Sequence, residues 1–237
     1  MINLLSILKN WEQKKTSDSF QVIEFFGTPG SGKTYVSGLS YEQLSKYGAN
    51  EVNKLSVDIG KMDAIKRVFI KAAIIFYLII TSPGVVFNIV KLVREFHSKN
   101  DRIFAKLAIN LLYVAGVMQF CKKFNQIVIM DQGIFQAIWS CIFHGNKEGF
   151  NFDTILSFLM VILSRIKITN LLIVHVSATD DNIKARLKTR KIKGNSLLNT
   201  ENIKMIEKGM KATIETRAFL DYATKNTSFF SIVDFNN

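Results

Sequence analysis

Short apolar runs alternate along this chain with longer stretches at helical period. Phe20–Phe26 is mostly apolar, aromatic and β-branched, which predicts a buried strand, and residues 34–44 behind it can continue as a helix. A second strong strand is predicted at 125–131, where Ile127-Val128-Ile129-Met130 ends in Asp131. A third, 170–176, leads into Ser177-Ala178-Thr179-Asp180-Asp181-Asn182, a cluster of hydroxyl caps and first-turn acids that reads as a helix start. A last strand is predicted at 228–234 and a weaker one at 51–57. Strands separated by helices predict a three-layer α/β domain, with a parallel sheet of about five strands and helices on both faces.

Between the first two strong strands lies a long apolar region, 62–123, which reads as an enlarged helical insertion of three helices near 62–81, 84–99 and 101–123. Ala72–Ile80 is almost membrane-like, but Lys71 precedes it and Thr81-Ser82-Pro83-Gly84 breaks it, whereas spanning takes about 20 apolar residues. Read through the break, residues 72–90 just reach that length, so a spanning or re-entrant segment is the alternative to packed helices. At the N-terminus, Leu4, Leu8 and Trp11 share a helical face, expected to pack on the domain, with a weak membrane-surface anchor as the second reading. That segment lacks the leading positive region and cleavage pattern of a signal peptide. No repeat, low-complexity tract or Pro-rich linker divides the chain, so residues 1–237 are expected to form one domain.

Composition changes this picture little. The formal charge of +12 suits polyanionic ligands, and equally a solvated surface or a face for anionic lipid or nucleic acid, so charge alone decides nothing between these. A nucleic-acid partner is not expected. Cys121 and Cys141 sit in apolar contexts without metal or disulfide spacing, which predicts reduced interior thiols and a cytoplasmic setting. His97, His144 and His175 are scattered and suggest no metal cluster.

The candidate chemistry is concentrated at Gly27-Thr28-Pro29-Gly30-Ser31-Gly32-Lys33-Thr34, which satisfies G-x-x-x-x-G-K-[ST] between a strand and a helix. The glycines let backbone N–H groups turn inward onto phosphate oxygens, and the following helix N-terminus adds positive field. Lys33 is expected to reach the β- and γ-phosphates of ATP, and the Thr34 hydroxyl to hold Mg²⁺. Asp131, at the carboxyl edge of the second strong strand, is expected on the far side of the same ion, because ligands of open parallel sheets collect at the carboxyl ends of the strands.

A second feature is the basic stretch 182–196. Ile183 and Leu187 are expected to face the core, with Arg186 and Arg190, four apart, flanking that stripe. Two guanidiniums placed there suit a clamp on a transferring phosphoryl group, and Gly194-Asn195-Ser196 a flexible lid, which makes 186–199 the candidate lid. A solvated basic face is the competing reading. For Lys184, Lys188, Lys191 and Lys193 it is the preferred one.

In this order of glycine loop, helical region, strand ending in Asp131, strand with Arg-rich helix, and closing strand, the chain resembles the nucleoside and nucleotide kinase group of P-loop NTPases, thymidylate kinase-like in particular. The resemblance covers the layout of residues 20–235 and is tightly specific only at the glycine loop. It implies the P-loop NTPase fold, a phosphate loop at Gly27–Thr34, a magnesium-side acid at Asp131 and lid arginines at Arg186 and Arg190. Gln132 stands where that family often carries arginine after the aspartate. Gln132, with Gln136 and Ser140 on one helix face, is the candidate lining of an acceptor pocket instead.

The expected activity is transfer of the γ-phosphoryl group of ATP, with Mg²⁺, to a nucleotide-, nucleoside- or sugar-like acceptor. The alternative is a P-loop ATPase without a phosphoryl acceptor, with peripheral membrane contact in one version. Against it stand the lack of a glutamate after Asp131, of an LSGGQ-like segment and of a guanine-reading [NT]-K-x-D. Glu24 and Asp58 are the available general-base candidates, and both read as structural or surface groups.

Overall fold

The computed structural model describes residues 20–46, 52–53, 58–59, 62–96, 101–124, 127–145, 149–191 and 203–236. The expectations for Leu4, Leu8 and Trp11, for His97, and for most of the candidate lid lie outside them. The strands are β1 (Phe20–Phe26), β2 (Val52–Asn53), β3 (Ile127–Met130), β4 (Ile168–Ser177) and β5 (Phe230–Asn236). They form one parallel sheet in the order β2-β3-β1-β4-β5. The helices are α1 (Lys33–Lys46), α2 (Ala64–Thr81), α3 (Pro83–Phe96), α4 (Asp101–Cys121), α5 (Ile134–His144), α6 (Phe152–Ile166), α7 (Asp180–Lys191) and α8 (Ile203–Asn226).

The continuous apolar runs are explained by burial on both faces, the normal state of a parallel sheet. On one face Val22, Phe26, Val128, Met130, Leu171 and Ile173 join the large core shared with α2–α8. On the other, Ile23, Phe25, Ile129, Leu172 and Val174 pack with Val36 and Leu44 of α1. Glu24 falls between Val22 and Phe26 on the large-core face and is fully buried, so of the two readings open for it the structural one holds.

The helical insertion resolves into α2, α3 and α4, close to the expected bounds. Residues 72–90 are no straight span, because α2 and α3 meet at 111° across Ser82. Pro83 has no N–H to donate to that turn and opens a new helix at its first position, where the missing donor costs nothing. The weak strand expected at 51–57 is confined to Val52–Asn53 among the described residues. Cys121 and Cys141 are both buried, and burial pushes each thiol up to about 12.

Candidate active site

The register pairs Glu24 with Met130, so the chain leaves β3 at Asp131 beside the glycine loop that leaves β1. Three glycines of the loop take positive φ: Gly27 (155°), Gly30 (97°) and Gly32 (102°). At Gly27 a Cβ would lie 2.2 Å from the Val176 carbonyl oxygen, so the loop passes against the end of β4 where no side chain fits. The Ser31 N–H donates to the Thr28 carbonyl (3.0 Å), and Tyr35 and Val36 donate to Gly32 (3.0 and 3.1 Å), which starts α1 directly on the loop. The loop runs close to α7, where a Cβ on Gly30 would lie 3.4 Å from buried Ile183 and Leu187.

Lys33, Thr34 and Asp131 converge. The Lys33 ammonium donates to the carbonyls of Gly27 (2.7 Å) and Thr28 (3.1 Å). Burial raises the Asp131 carboxyl above its ordinary range, and the Lys33 charge and a hydrogen bond from the Thr34 hydroxyl pull it back. All three line a cavity of about 240 Å³ together with Gly30, Gln132 and Gln136. Both glutamines singled out in the sequence are therefore at the glycine loop, and Gln136 Oε1 is buried there with no hydrogen-bond partner. A hydroxyl and a carboxylate in contact, beside a loop of inward-turned amides, are the oxygen donors with which P-loop proteins hold Mg²⁺. Among the described residues no three His, Cys, Asp or Glu side chains gather into a metal site of their own.

Arg186 lies beside this cavity without lining it. Its Nη1 donates to the carbonyls of Gly30 (3.3 Å) and Ser31 (3.1 Å). The guanidinium is thus hydrogen-bonded to the glycine loop itself. Arg190 belongs to α7, and its side chain lies outside the described residues, as do residues 192–202. Asp58 lines neither this cavity nor the next.

A second cavity of about 410 Å³ adjoins the first, and Pro29, Trp139 and Ser140 line both. Tyr113, Trp139, Phe143 and His144 line it together with Lys71, Lys106 and Asn110. Trp139 stacks on Phe143 at 5.1 Å and 9°, and Tyr113 stands across with the Lys71 ammonium 4.5 Å over its ring. Burial, and secondarily Arg67, lower the Lys71 pKa, while burial pushes Tyr113 up to about 12. The Trp139 indole is fixed by donating to Thr213 Oγ1 (2.9 Å) and the Gly209 carbonyl (3.2 Å). Thr28 of the glycine loop also donates to Thr213 Oγ1 (3.1 Å). One hydroxyl on α8 thus ties the glycine loop to Trp139.

Glu24 sits beneath this assembly. Its Oε1 accepts from the Gln136 N–H (2.9 Å), and Gly133, the N-cap of α5, has no side chain to cap with. The carboxylate does that work from the neighbouring strand, at the positive end of the helix. A Cβ on Gly133 would come within 2.4 Å of it. Burial pushes the Glu24 carboxyl up to about 7 against the pull of the Gln136, Phe135, Ile134 and Gly133 amides. It lines neither cavity.

Sequence reading missed Trp139, Phe143, Tyr113 and Thr213. The first two were within reach, since Gln136, Trp139, Ser140 and Phe143 follow helical spacing on α5. Nothing local marks Tyr113 on α4 or Thr213 on α8.

No protein-family model matches the chain, and no curated protein matches it. Its neighbours among solved structures include deoxyadenosine kinase from M. mycoides, in one structure with bound dCTP and in another with the products dCMP and a flexible dCDP. Each is 15% identical and covers 90% of this chain and 89% of its own, at TM-scores of 0.44 and 0.45. A likeness of that size carries no argument about activity. What the structure itself establishes is a three-layer α/β domain, with a glycine-rich loop between the central strand and its helix.

Proposed function

We propose that this protein is a phosphotransferase that passes the γ-phosphoryl group of ATP to a small acceptor held in the aromatic cavity. The observation that carries the proposal is that Pro29, Trp139 and Ser140 line both cavities, which sets the second one directly beside the cavity of the glycine loop. A site built only to hydrolyse a nucleotide needs room for water. It does not need a second chamber of about 410 Å³ with a rigid stacked aromatic wall.

In this reading the loop amides of Gly27–Thr34 and the Lys33 ammonium hold the triphosphate, and Thr34 and Asp131 hold Mg²⁺. When bound, that ion neutralises charge on the phosphate oxygens. The bond between the γ-phosphorus and its bridging oxygen breaks, ADP leaves, and a new P–O bond forms to the acceptor oxygen, whose proton passes to solvent. Phosphoryl transfer of this loose kind depends on positioning and charge stabilisation more than on a strong base. Trp139 and Phe143 suit a flat ring, and Gln132, Gln136 and Ser140 suit its polar substituents. A nucleoside, nucleotide or sugar-like acceptor meets these demands, in keeping with the resemblance to thymidylate kinase-like enzymes.

The test is incubation with γ-labelled ATP, Mg²⁺ and a panel of such acceptors. Label appearing in an acceptor supports the reading. Release of inorganic phosphate that no acceptor alters overturns it in favour of an ATPase.

Two smaller effects follow from the geometry. Trp139→Phe keeps a ring in the wall but removes both indole hydrogen bonds. It is expected to raise the acceptor KM about tenfold, about 1.4 kcal/mol, while ATP affinity stays within about twofold; initial-rate kinetics in both substrates check this. Arg186→Ala removes two charge-assisted hydrogen bonds from the loop. It is expected to weaken ATP binding about tenfold, measured by equilibrium titration, with stability little changed.

A further inference from the structure

Thr213 on α8 is a buried hydroxyl with each of its hydrogen-bonding positions filled. It donates to the Gly209 carbonyl (3.1 Å) and accepts from the Trp139 indole (2.9 Å) and from the Thr28 hydroxyl (3.1 Å). A hydroxyl offers one donor and two acceptor positions, so none is left over. Its two donors come from different parts of the site. Thr28 stands in the glycine loop, whereas Trp139 on α5 lines both the cavity of that loop and the larger one beside it. The helix that carries the hydroxyl is itself held. One turn along α8, Arg217 donates to Asp221 (3.0 Å) and to Asp234 of β5 (3.2 Å), which ties the helix to the sheet. Thr213 is therefore a fixed post between the loop and the indole.

Events at the loop reach this post through Thr28. Its carbonyl accepts from the Lys33 ammonium (3.1 Å), a contact the ammonium gives up on turning to a triphosphate. The proline that follows restricts the Thr28 backbone and fixes its own φ, so Thr28 and Pro29 move as a stiff pair. Pro29 lines both cavities. A shift of Thr28 thus carries one wall residue of the larger cavity directly, and through the Thr213 hydroxyl it bears on Trp139 as well. Hydrogen bonds in series polarise one another. A firm Thr28 donor leaves the Thr213 hydroxyl a single orientation, toward Gly209, and presents its remaining lone pair to the indole. A displaced Thr28 frees that hydroxyl to turn and loosens the indole with it.

We propose that Thr213 is a positioning residue that couples the two cavities, so that a nucleoside triphosphate in the glycine loop tightens Trp139 against the larger one. The proposal rests on the triphosphate assigned to the loop above, and not on the transfer of its phosphate. The chain has two tryptophans, Trp11 and Trp139, so Trp11→Phe leaves Trp139 as the single indole reporter. Saturating this parent protein with the β,γ-imido analogue of ATP and Mg²⁺ should lower acrylamide quenching of Trp139 at least about twofold. Thr213→Val keeps the shape of the side chain and leaves the indole its Gly209 acceptor (3.2 Å). By calorimetry it should bind the analogue within about threefold of the parent, yet its quenching should not respond. Thr213→Ser keeps the hydroxyl and should retain the response. Should Thr213→Val melt too low to be used, Thr28→Val, which removes only the loop donor, should give the same loss. An analogue that binds without altering the parent's quenching overturns the proposal. A response that survives in Thr213→Val also overturns it, assigning the effect to direct contact between nucleotide and indole, and so does a response that Thr213→Ser lacks. Failure of the analogue to bind overturns the triphosphate assignment and the coupling together. An intact response in a protein that labels no acceptor supports the coupling and overturns only the phosphotransfer.

Discussion

Lys33→Ala is expected to lower phosphoryl transfer by about 10³-fold, about 4 kcal/mol of transition-state stabilisation, and to leave the fold intact. Both halves of that expectation come from where the side chain lies. Its ammonium contacts the Gly27 and Thr28 carbonyls at the cavity mouth and takes no part in either apolar core. Alanine is a good helix former at the first position of α1, so local structure is not at risk. The transferring phosphoryl group, however, loses the positive charge nearest its developing negative charge, in a cavity where solvent replaces it poorly. Single-turnover transfer from γ-labelled ATP reads the loss, and a thermal melt reads the fold. A variant that keeps wild-type turnover would remove Lys33 from the chemistry. One that unfolds would make it a structural residue.

Glu24→Gln is expected to change how stability depends on pH by about 3 kcal/mol. The ordinary glutamate value is 4.5, and burial holds this carboxyl at about 7 in the folded chain, where α5 amides offset only part of the penalty. Below pH 4.5 both folded and unfolded chains carry the proton and the group costs nothing. Between 4.5 and 7 the unfolded chain has released a proton that the folded one retains. Stability therefore falls as pH rises through this window and levels off above it, by about 1.4 kcal/mol for each pH unit of displacement. Glutamine keeps the shape and the carbonyl that accepts from Gln136 but cannot ionise. Wild type and variant should thus diverge in unfolding free energy from pH 5 to pH 8, with the variant favoured at the alkaline end. Denaturant unfolding of both proteins across that range measures it. His175, whose pKa burial lowers against the pull of Asp234, is common to both and cancels in the difference. Parallel profiles would contradict the buried-carboxylate account.

The cost of that carboxylate buys the α5 N-terminus its place at the site. Asp131, Gln132 and Gln136 are set by the turn between β3 and α5, and Glu24 is the group that anchors the turn from β1. A sequence shows a glutamate in an apolar strand and nothing of the helix end above it.

The strands that enclose the site were legible because burial on both faces leaves continuous apolar runs, β1 falling at Phe20–Phe26 as expected and β3 delivering Asp131 to the loop. The glycine loop was legible because its backbone conformations admit few other residues. The aromatic chamber was not, since Tyr113, Trp139 and Thr213 come from three helices and meet only after packing. Arg186 was expected to clamp a phosphoryl group, and the structure places its guanidinium on the Gly30 and Ser31 carbonyls of the loop. The apolar insertion was read as helices packed on each other and on the sheet, whereas α2 turns eight apolar side chains outward. Hydrophobicity reports that a face avoids water. It does not say whether the cover comes from the same chain.

The most direct test is titration calorimetry of the full chain with ATP in the presence of Mg²⁺. Saturable one-site binding, lost or weakened at least about 100-fold in Lys33→Ala, is the result expected of a triphosphate seated in the Gly27–Thr34 loop. No heat with any adenine or guanine triphosphate, or equal affinity in the variant, would contradict it.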